Sequence, residues 1–319
     1  MNQRIESFSQ DQSELEYFER STESVLCWYL ASEDINSNGI LRVVLFTSLL
    51  PVFQMLFLWE SLGVFTASLY GTAFRLSLTE PDPLAETFVQ YPLLLANVVG
   101  CFVLGFISAS MKESLPIISV AISVGFCGCL TSFSGWIVSF TKNHWVELFW
   151  GLSIPFTAIS VGYDVSKNIQ LSKCDFKKFE RPLILFITFC SVVIIASIAG
   201  SGCVKEKYLL SLAFSPLGSI MRFSLGRALN HRYPSFPVGT FTSNMIATII
   251  ARALYSTQDT AVTYGIVRGF CGSLSTVSGW AQEVMSLRAS GMYLKSYFYC
   301  FLSVGVAAAL SFATGAIAH

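Results

Sequence analysis

The stretches GFCGCLTSFSGW (residues 125–136) and GFCGSLSTVSGW (residues 269–280) interrupt apolar sequence in the two halves of this chain. They agree at eight of twelve positions and begin 144 residues apart. Glycine followed by Ser and Thr makes a poor continuous helix, so each stretch predicts a membrane helix broken near its midpoint. Such a break frees backbone carbonyl groups that can bind a cation. The alternative is a close helix crossing through small residues.

The composition around these stretches is that of an integral membrane protein. Only 13% of the 319 residues are charged and 53% are hydrophobic, whereas soluble domains average about 25% charged residues. The formal net charge is zero, so nothing indicates a nucleic-acid partner. The nine cysteines contain no pair of CxxC motifs, which favours packing roles over a disulfide framework or a zinc site.

Apolar runs of about 20 residues predict an all-α fold with about nine membrane spans. Residues 1–40 are polar and acidic and predict a disordered tail. Residues 41–60 leave two arrangements open, a short extra span or an interfacial helix before the first span. The predicted spans are residues 61–78, 92–110, 117–140, 145–163, 182–202, 207–228, 237–254, 262–286 and 296–317.

Further polar landmarks show that the chain contains an internal duplication. Gly71 and Arg75 recur as Gly218 and Arg222, and Asn97 recurs as Asn244, each at an offset of 147. The resulting four-helix units, residues 61–163 and 207–319, are separated by one predicted span, residues 182–202. Because four spans plus one is an odd number, the second unit enters the membrane the other way round. This inverted-topology arrangement places a site near the midplane between the halves.

Basic residues in the short loops predict the orientation of these spans. The loop at residues 164–181 and the loops on its side carry ten Lys and Arg residues against four on the opposite side. Since positive loops stay in the cytosol, the 164–181 loop is expected to be cytosolic.

Each recurring polar side chain can be interpreted in two ways, as a functional group or as a structural one. The amides of Asn97 and Asn244 can donate to a passing anion or hold helices together. Arg75 and Arg222 can attract anions into a vestibule or have a structural role at a helix end. The three histidines fall in loops or at the terminus, and no acid–base pair is predicted within a span. These observations argue against an enzyme and a proton-coupled carrier.

The ordered set of a G-x-x-x-R helix, an Asn in the next helix and a GFCGxLTxFS break resembles the Fluc/CrcB fluoride channels. The fused two-unit form with a linker helix is similar to the eukaryotic fluoride export proteins. The resemblance covers residues 61–163 and 207–317 and leaves out the N-terminal tail. It implies antiparallel units, two fluoride paths and a central structural Na⁺.

The resemblance also implies roles for individual residues. The residues expected to line the fluoride paths are Asn97, Asn244, Phe133, Trp136, Trp280, Ser153 and Ser303. The backbone carbonyls expected to bind Na⁺ belong to Gly128, Thr131, Gly272 and Ser275. Val277 stands where the first unit has Phe133, so the two paths are not expected to be equivalent.

We therefore expect a passive, selective fluoride channel that exports F⁻ and gives fluoride resistance, with no cofactor besides the structural Na⁺. We expect it to be a multi-pass protein of the plasma membrane lipid bilayer that acts as a monomer. The alternative function is an inverted-repeat secondary transporter for another small ion or solute.

Overall fold

The computed structural model describes residues 39–79, 92–111, 115–141, 146–169 and 177–317. This part of the chain is helical and contains no strand. The predicted acidic tail, residues 1–40, lies outside the described residues except for its last two. The basic residues that predict the orientation are also partly outside them, because residues 170–176 of that loop are not described.

Helices cover every predicted span. The longer ones are α1 (Gly39–Thr79), α2 (Pro92–Ser110), α3 (Val146–Ile169), α4 (Glu180–Ser201), α5 (Glu206–Leu225), α6 (Val238–Ala253) and α7 (Tyr293–Ile317). The two remaining spans are built from shorter helical pieces, described below. By length and apolar character, six helical segments of the described part are able to cross a membrane. The protein is thus an all-α membrane protein.

Helix α1 is 41 residues long and contains residues 41–60 together with the first predicted span, residues 61–78. At 1.5 Å per residue it measures about 60 Å, twice the thickness of the hydrocarbon core of a bilayer. Residues 41–60 therefore continue the first helix without a turn.

Helices α1 and α5, the first helices of the two units, pack against each other in opposite directions. The rings of Phe57 and Phe223 stack with their centroids 5.6 Å apart, and the hydroxyls of Thr72 and Ser215 are 2.6 Å apart. As the residue number rises along α1, the number of its partner falls along α5. The two units are therefore antiparallel at their interface, as the single linker helix between two four-helix units predicts.

A glycine permits close packing at equivalent places in both units. A Cβ atom on Gly71 would overlap the carbonyl oxygen of Phe126, and one on Gly218 would overlap that of Phe270. Phe126 and Phe270 occupy the same position in the two GFCG stretches. The glycine of the G-x-x-x-R motif thus lets the first helix of each unit lie directly on the backbone of its broken helix.

The linker helix α4 touches the rest of the described protein along a narrow face. Thr188 and Ser191 lie 2.6 Å and 2.8 Å from the hydroxyls of Thr66 and Tyr70 on α1. Ile184 and Ser191 of α4 are buried, whereas Phe186 and Phe189 are largely exposed. A helix with so much exposed apolar surface is suited to contact with lipid on its other sides.

Candidate functional site

Both predicted helix breaks are present and have the same local structure. In the first, Pro116–Val120, a π-helical turn at Ala121–Cys127 and Gly128–Leu130 precede the break, and Phe133–Phe140 follows it. The second has Ala261–Gly265, a π-helical turn at Ile266–Cys271 and Gly272–Leu274 before it, and Val277–Ala289 after it. Two extended residues separate the pieces in each case. π-Helical turns of this kind occur often at functional sites.

Hydroxyl side chains begin the helix after each break. The Oγ atom of Ser132 accepts from the Gly135 N–H at 3.2 Å, and Oγ1 of Thr276 accepts from the Gly279 N–H at 3.1 Å. Ser and Thr are preferred at this position because they satisfy an N–H that has no partner within the helix. Ser132 and Thr276 are therefore helix caps.

The two asparagines hold the breaks open. The Oδ1 atom of Asn97 on α2 accepts from the Ser132 N–H at 3.0 Å, and Oδ1 of Asn244 on α6 accepts from the Thr276 N–H at 2.8 Å. In an unbroken helix these N–H groups would bond to the carbonyls four residues earlier. Those carbonyls belong to Gly128 and Gly272, two of the residues expected to bind a cation.

The two breaks lie against each other at the interface between the units. The hydroxyl of Thr131 is 3.1 Å from that of Ser278, and the hydroxyl of Ser134 is 2.8 Å from that of Ser275. The backbone repeats the pattern, because the N–H groups of Ser278 and Ser134 donate to Thr131 Oγ1 and Ser275 Oγ at 3.2 Å and 3.1 Å. Equivalent residues thus make reciprocal contacts, as an approximate two-fold axis requires.

Arg75 and Arg222 are buried between the units, with 2% and 6% of their surfaces exposed. Each arginine crosses to the other unit: Arg75 donates to the carbonyls of Gly272 and Arg268, and Arg222 donates to that of Val124 at 2.8 Å. These carbonyls belong to the helical pieces before the breaks. Of the structural and vestibule roles expected for the arginines, these contacts fit the structural one.

The backbone groups expected to bind Na⁺ have the right chemistry for a small hard cation. In a continuous helix the carbonyls of Gly128 and Gly272 would accept from N–H groups that here donate to Asn97 and Asn244. The carbonyls of Thr131 and Ser275 would accept from N–H groups that here donate to the capping hydroxyls of Ser132 and Thr276. Gly272 also accepts from Arg75, but a carbonyl oxygen has two lone pairs. Carbonyl oxygens without their usual helical donors are the type of ligand that a cation bound through backbone groups needs.

The aromatic residues expected in the paths form one buried cluster. The ring centroid of Phe133 is 5.4 Å from that of Trp136 and 5.6 Å from that of Trp280, both in edge-type arrangements. The two tryptophans, one from each unit, are 6.0 Å apart. Residues from both units therefore share this cluster.

A small cavity of about 30 Å³ lies between α2, α3 and the helix that follows the first break. Its wall includes Asn97, Trp136, Ser139 and Glu147. The carboxylate of Glu147 accepts from the Ser139 hydroxyl at 2.7 Å. This volume is enough for one water molecule or one ion of similar size.

The two serines expected on the fourth helix of each unit are in different environments. Ser303 on α7 is fully buried and donates to the carbonyl of Tyr299 at 2.7 Å. Ser153 on α3 is exposed and donates to the carbonyl of Phe149 at 2.6 Å. It lines a groove of about 450 Å³ on the outer side of the α2–α3 pair. Ser153 is thus set apart from the cluster of aromatic rings.

A buried carboxylate network in the second unit was not expected from the sequence. Glu283 accepts from the hydroxyls of Thr240 and Tyr299, at 2.5 Å and 2.7 Å, and from the amide of Asn230 at 3.1 Å. The sequence signal for this network is the spacing of Glu283, which follows Trp280 by one turn and so lies on the same face of the helix. Its partners come from distant segments, so the sequence alone did not connect them.

Comparisons with known proteins agree with the duplication. A family model described as CrcB-like protein, Camphor Resistance (CrcB), matches twice, at residues 62–163 and 209–316. These ranges correspond to the two repeated units and leave out the linker helix α4. No solved structure was found to match the chain.

Curated relatives match this chain over most of its length or over a short segment. The chain is 26% identical to Fluoride export protein 1 of Neurospora crassa and 24% identical to Fluoride export protein 1 of Candida albicans, over 76% of its own length in both cases. The matches cover 63% of the Neurospora crassa protein and 75% of the Candida albicans protein. The chain therefore spans just under two thirds of the length of the Neurospora crassa relative. A shorter match, 38% identical, covers 27% of this chain and 72% of a Fluoride-specific ion channel FluC of Acinetobacter baumannii.

Proposed function

The chain belongs to the CrcB-like protein family, and we propose that it is a passive, fluoride-selective channel and not an enzyme. In this proposal it exports F⁻ from the cytosol and gives the cell resistance to fluoride. The names of the relatives, Fluoride export protein 1 and Fluoride-specific ion channel FluC, support fluoride as the transported ion. The reciprocal contacts between the units support a pathway built from both halves.

The observation that carries the proposal is the position of Asn97 in the wall of the small cavity. Its Oδ1 atom is committed to the Ser132 N–H, so its remaining polar group is an NH₂ that can only donate. The cavity, of about 30 Å³, has room for a single small ion. A donor fixed in a narrow space replaces part of the hydration shell of F⁻ and discriminates by ion size.

Export then needs no coupled energy source. Fluoride that enters as neutral HF from acidic surroundings dissociates in the cytosol and is trapped as the anion. A negative-inside potential favours its exit by about 2.3 kcal/mol per elementary charge for each 100 mV. A passive path is sufficient for this task.

We also propose a structural Na⁺ between the facing breaks. The carbonyls of Gly128, Thr131, Gly272 and Ser275 would hold it, because the N–H donors they would have in a continuous helix are bonded elsewhere. A cation there would offset the partial negative charge of these oxygens and join the two units.

A single copy of the chain is proposed to be sufficient for function, because the two antiparallel units are joined in one polypeptide. We propose the plasma membrane as its location, since export from the cell must cross that membrane. The exposed apolar surface of α4 is suited to direct contact with lipid.

Current through the purified protein in planar bilayers tests the proposal. With NaF at different concentrations on the two sides and equal NaCl, the current should reverse at the equilibrium potential of F⁻. A coupled transporter would reverse at a potential set by its stoichiometry, or carry no current. Either of those results would refute the channel proposal.

A further inference from the structure

The indole N–H of Trp280 is buried and has no hydrogen-bond partner. The residue is fully buried, and Nε1 is among the buried polar atoms that have no partner in the described structure. Trp136 occupies the same position in the first unit, but its Nε1 donates to the carbonyl of Glu147 at 2.9 Å. Of these two equivalent tryptophans, Trp280 therefore retains an unused donor and Trp136 does not.

An unused donor in this position is a sign of a ligand. Buried polar groups in folded proteins almost always have a partner, which is a protein group, an ordered water or an ion. The indole N–H is a donor only, with no lone pair to offer. It can satisfy an anion, but it cannot bind a cation.

The surroundings of Trp280 also favour an anion over a water molecule. The ring centroids of Phe156 and Phe133 lie 5.5 Å and 5.6 Å from that of Trp280. Val277, one turn earlier on the same helix, is fully buried and apolar. Aromatic edges carry partial positive charge, whereas a water molecule would also need acceptors for its own two hydrogens.

We propose that the indole N–H of Trp280 donates a hydrogen bond to permeating fluoride. This inference rests on the proposed channel function and deepens it. The resemblance implies only that the aromatic residues line the fluoride paths, whereas the structure assigns the contact at this position to a nitrogen-bound proton. An N–H is a stronger donor than a C–H, so this contact would mark a binding point for F⁻ at the aromatic cluster that both units share.

The test uses the full-length protein with two replacements at position 280. Trp280→Phe removes the donor together with part of the ring system. Replacement by benzothienylalanine, which has sulfur in place of the N–H, removes the donor and keeps the shape. We expect fluoride efflux from liposomes to fall at least tenfold with both. The matched control is Trp59→Phe, at a tryptophan that stacks near Arg181 outside the repeated units, and it should leave efflux unchanged.

A spectroscopic measurement reports the contact directly. The chain has six tryptophans, and ¹⁵N labelling gives each an indole N–H resonance. The resonance absent from Trp280→Phe should shift when NaF is added to the wild-type protein and should not shift with NaCl.

The outcomes separate this inference from the channel proposal. If the wild-type protein conducts fluoride while the benzothienylalanine variant conducts equally well and the Trp280 resonance does not respond to NaF, the inference is wrong and the channel stands. If the folded wild-type protein conducts no fluoride, the proposed function itself fails.

Discussion

Asn97 uses the two ends of its amide group differently. Its oxygen holds the N–H of Ser132, and its NH₂ group remains as a donor at the wall of the cavity. Asn244 is fully buried and turns both ends towards Thr276, with its oxygen on the N–H and its NH₂ 3.4 Å from the carbonyl. Both asparagines therefore have a structural function, but of the two it is Asn97 that keeps its NH₂ group available as a donor.

Replacing Asn97 with Asp should separate these two functions. Asn97→Asp keeps an oxygen for the Ser132 N–H, so the protein should remain folded. It removes the NH₂ donor and adds a second carboxyl group beside that of Glu147 in the cavity wall. We expect fluoride efflux from liposomes to fall at least tenfold, with an unchanged elution profile in size-exclusion chromatography. Wild-type rates of efflux in a folded Asn97→Asp protein would contradict a role for this donor.

Thr131 provides a test of the contact between the breaks. Thr131→Val keeps the shape of the side chain but removes the acceptor of the Ser278 N–H, which is buried. An unsatisfied buried donor costs about 1–3 kcal/mol, so the melting temperature should fall. Thr157→Val is the control, because Thr157 is exposed and donates only within its own helix. Equal melting temperatures for the two variants would show that the contact does not stabilise the interface.

At the scale of helices, each unit is built around a close crossing of its first helix and its broken helix. Gly71 and Gly218 lie against the carbonyls of Phe126 and Phe270. This crossing places Arg75 and Arg222 where they can reach the break of the other unit. Packing within each unit thus positions the contacts between units.

Gly71→Ala should disrupt this crossing. The added methyl group would overlap a backbone carbonyl, which cannot move without shifting the broken helix. Overpacking of this kind typically costs about 1–3 kcal/mol, and thermal unfolding in detergent should show the loss. Gly305→Ala, on α7 with open space around its Cβ position, should be neutral or slightly stabilising. Comparable melting temperatures for the two alanine variants would mean that the crossing is looser than the structure indicates.

The sequence predicted the helices and the facing breaks because both follow from local patterns and from the repeat. A duplicated motif implies equivalent contacts around an axis, and the Thr131–Ser278 and Ser134–Ser275 pairs are contacts of this kind. It could not predict the different states of the Trp136 and Trp280 N–H groups. The acceptor for Trp136 is the carbonyl of Glu147, and its position depends on how α3 packs in one unit alone.

The whole molecule depends on α4 to set the direction of the second unit. Contacts between α1 and α5 show the two first helices running antiparallel, and a single helix between the units is the simplest connection that allows this.

The charged residues do not follow the approximate two-fold symmetry of the units. Lys207 occupies the position in the second unit that Glu60 has in the first, and Glu60 pairs with Arg227 across the interface.

Cys203 allows the predicted orientation to be tested. It is an exposed free cysteine directly after α4. If the 164–181 loop is cytosolic, Cys203 lies on the outside. A membrane-impermeant maleimide should therefore label it in intact cells, and Cys203→Ser should abolish that signal. Labelling that appears only after the membrane is permeabilised would reverse the orientation.

The most direct test of the central claim is fluoride efflux from liposomes that contain the purified protein, measured with a fluoride-selective electrode. With valinomycin and K⁺ to balance charge, we predict rapid efflux of F⁻, no comparable efflux of Cl⁻, and strongly reduced F⁻ efflux when Asn97 and Asn244 are both replaced by Asp. Equal rates for F⁻ and Cl⁻, or no fluoride efflux from folded wild-type protein, would contradict the account.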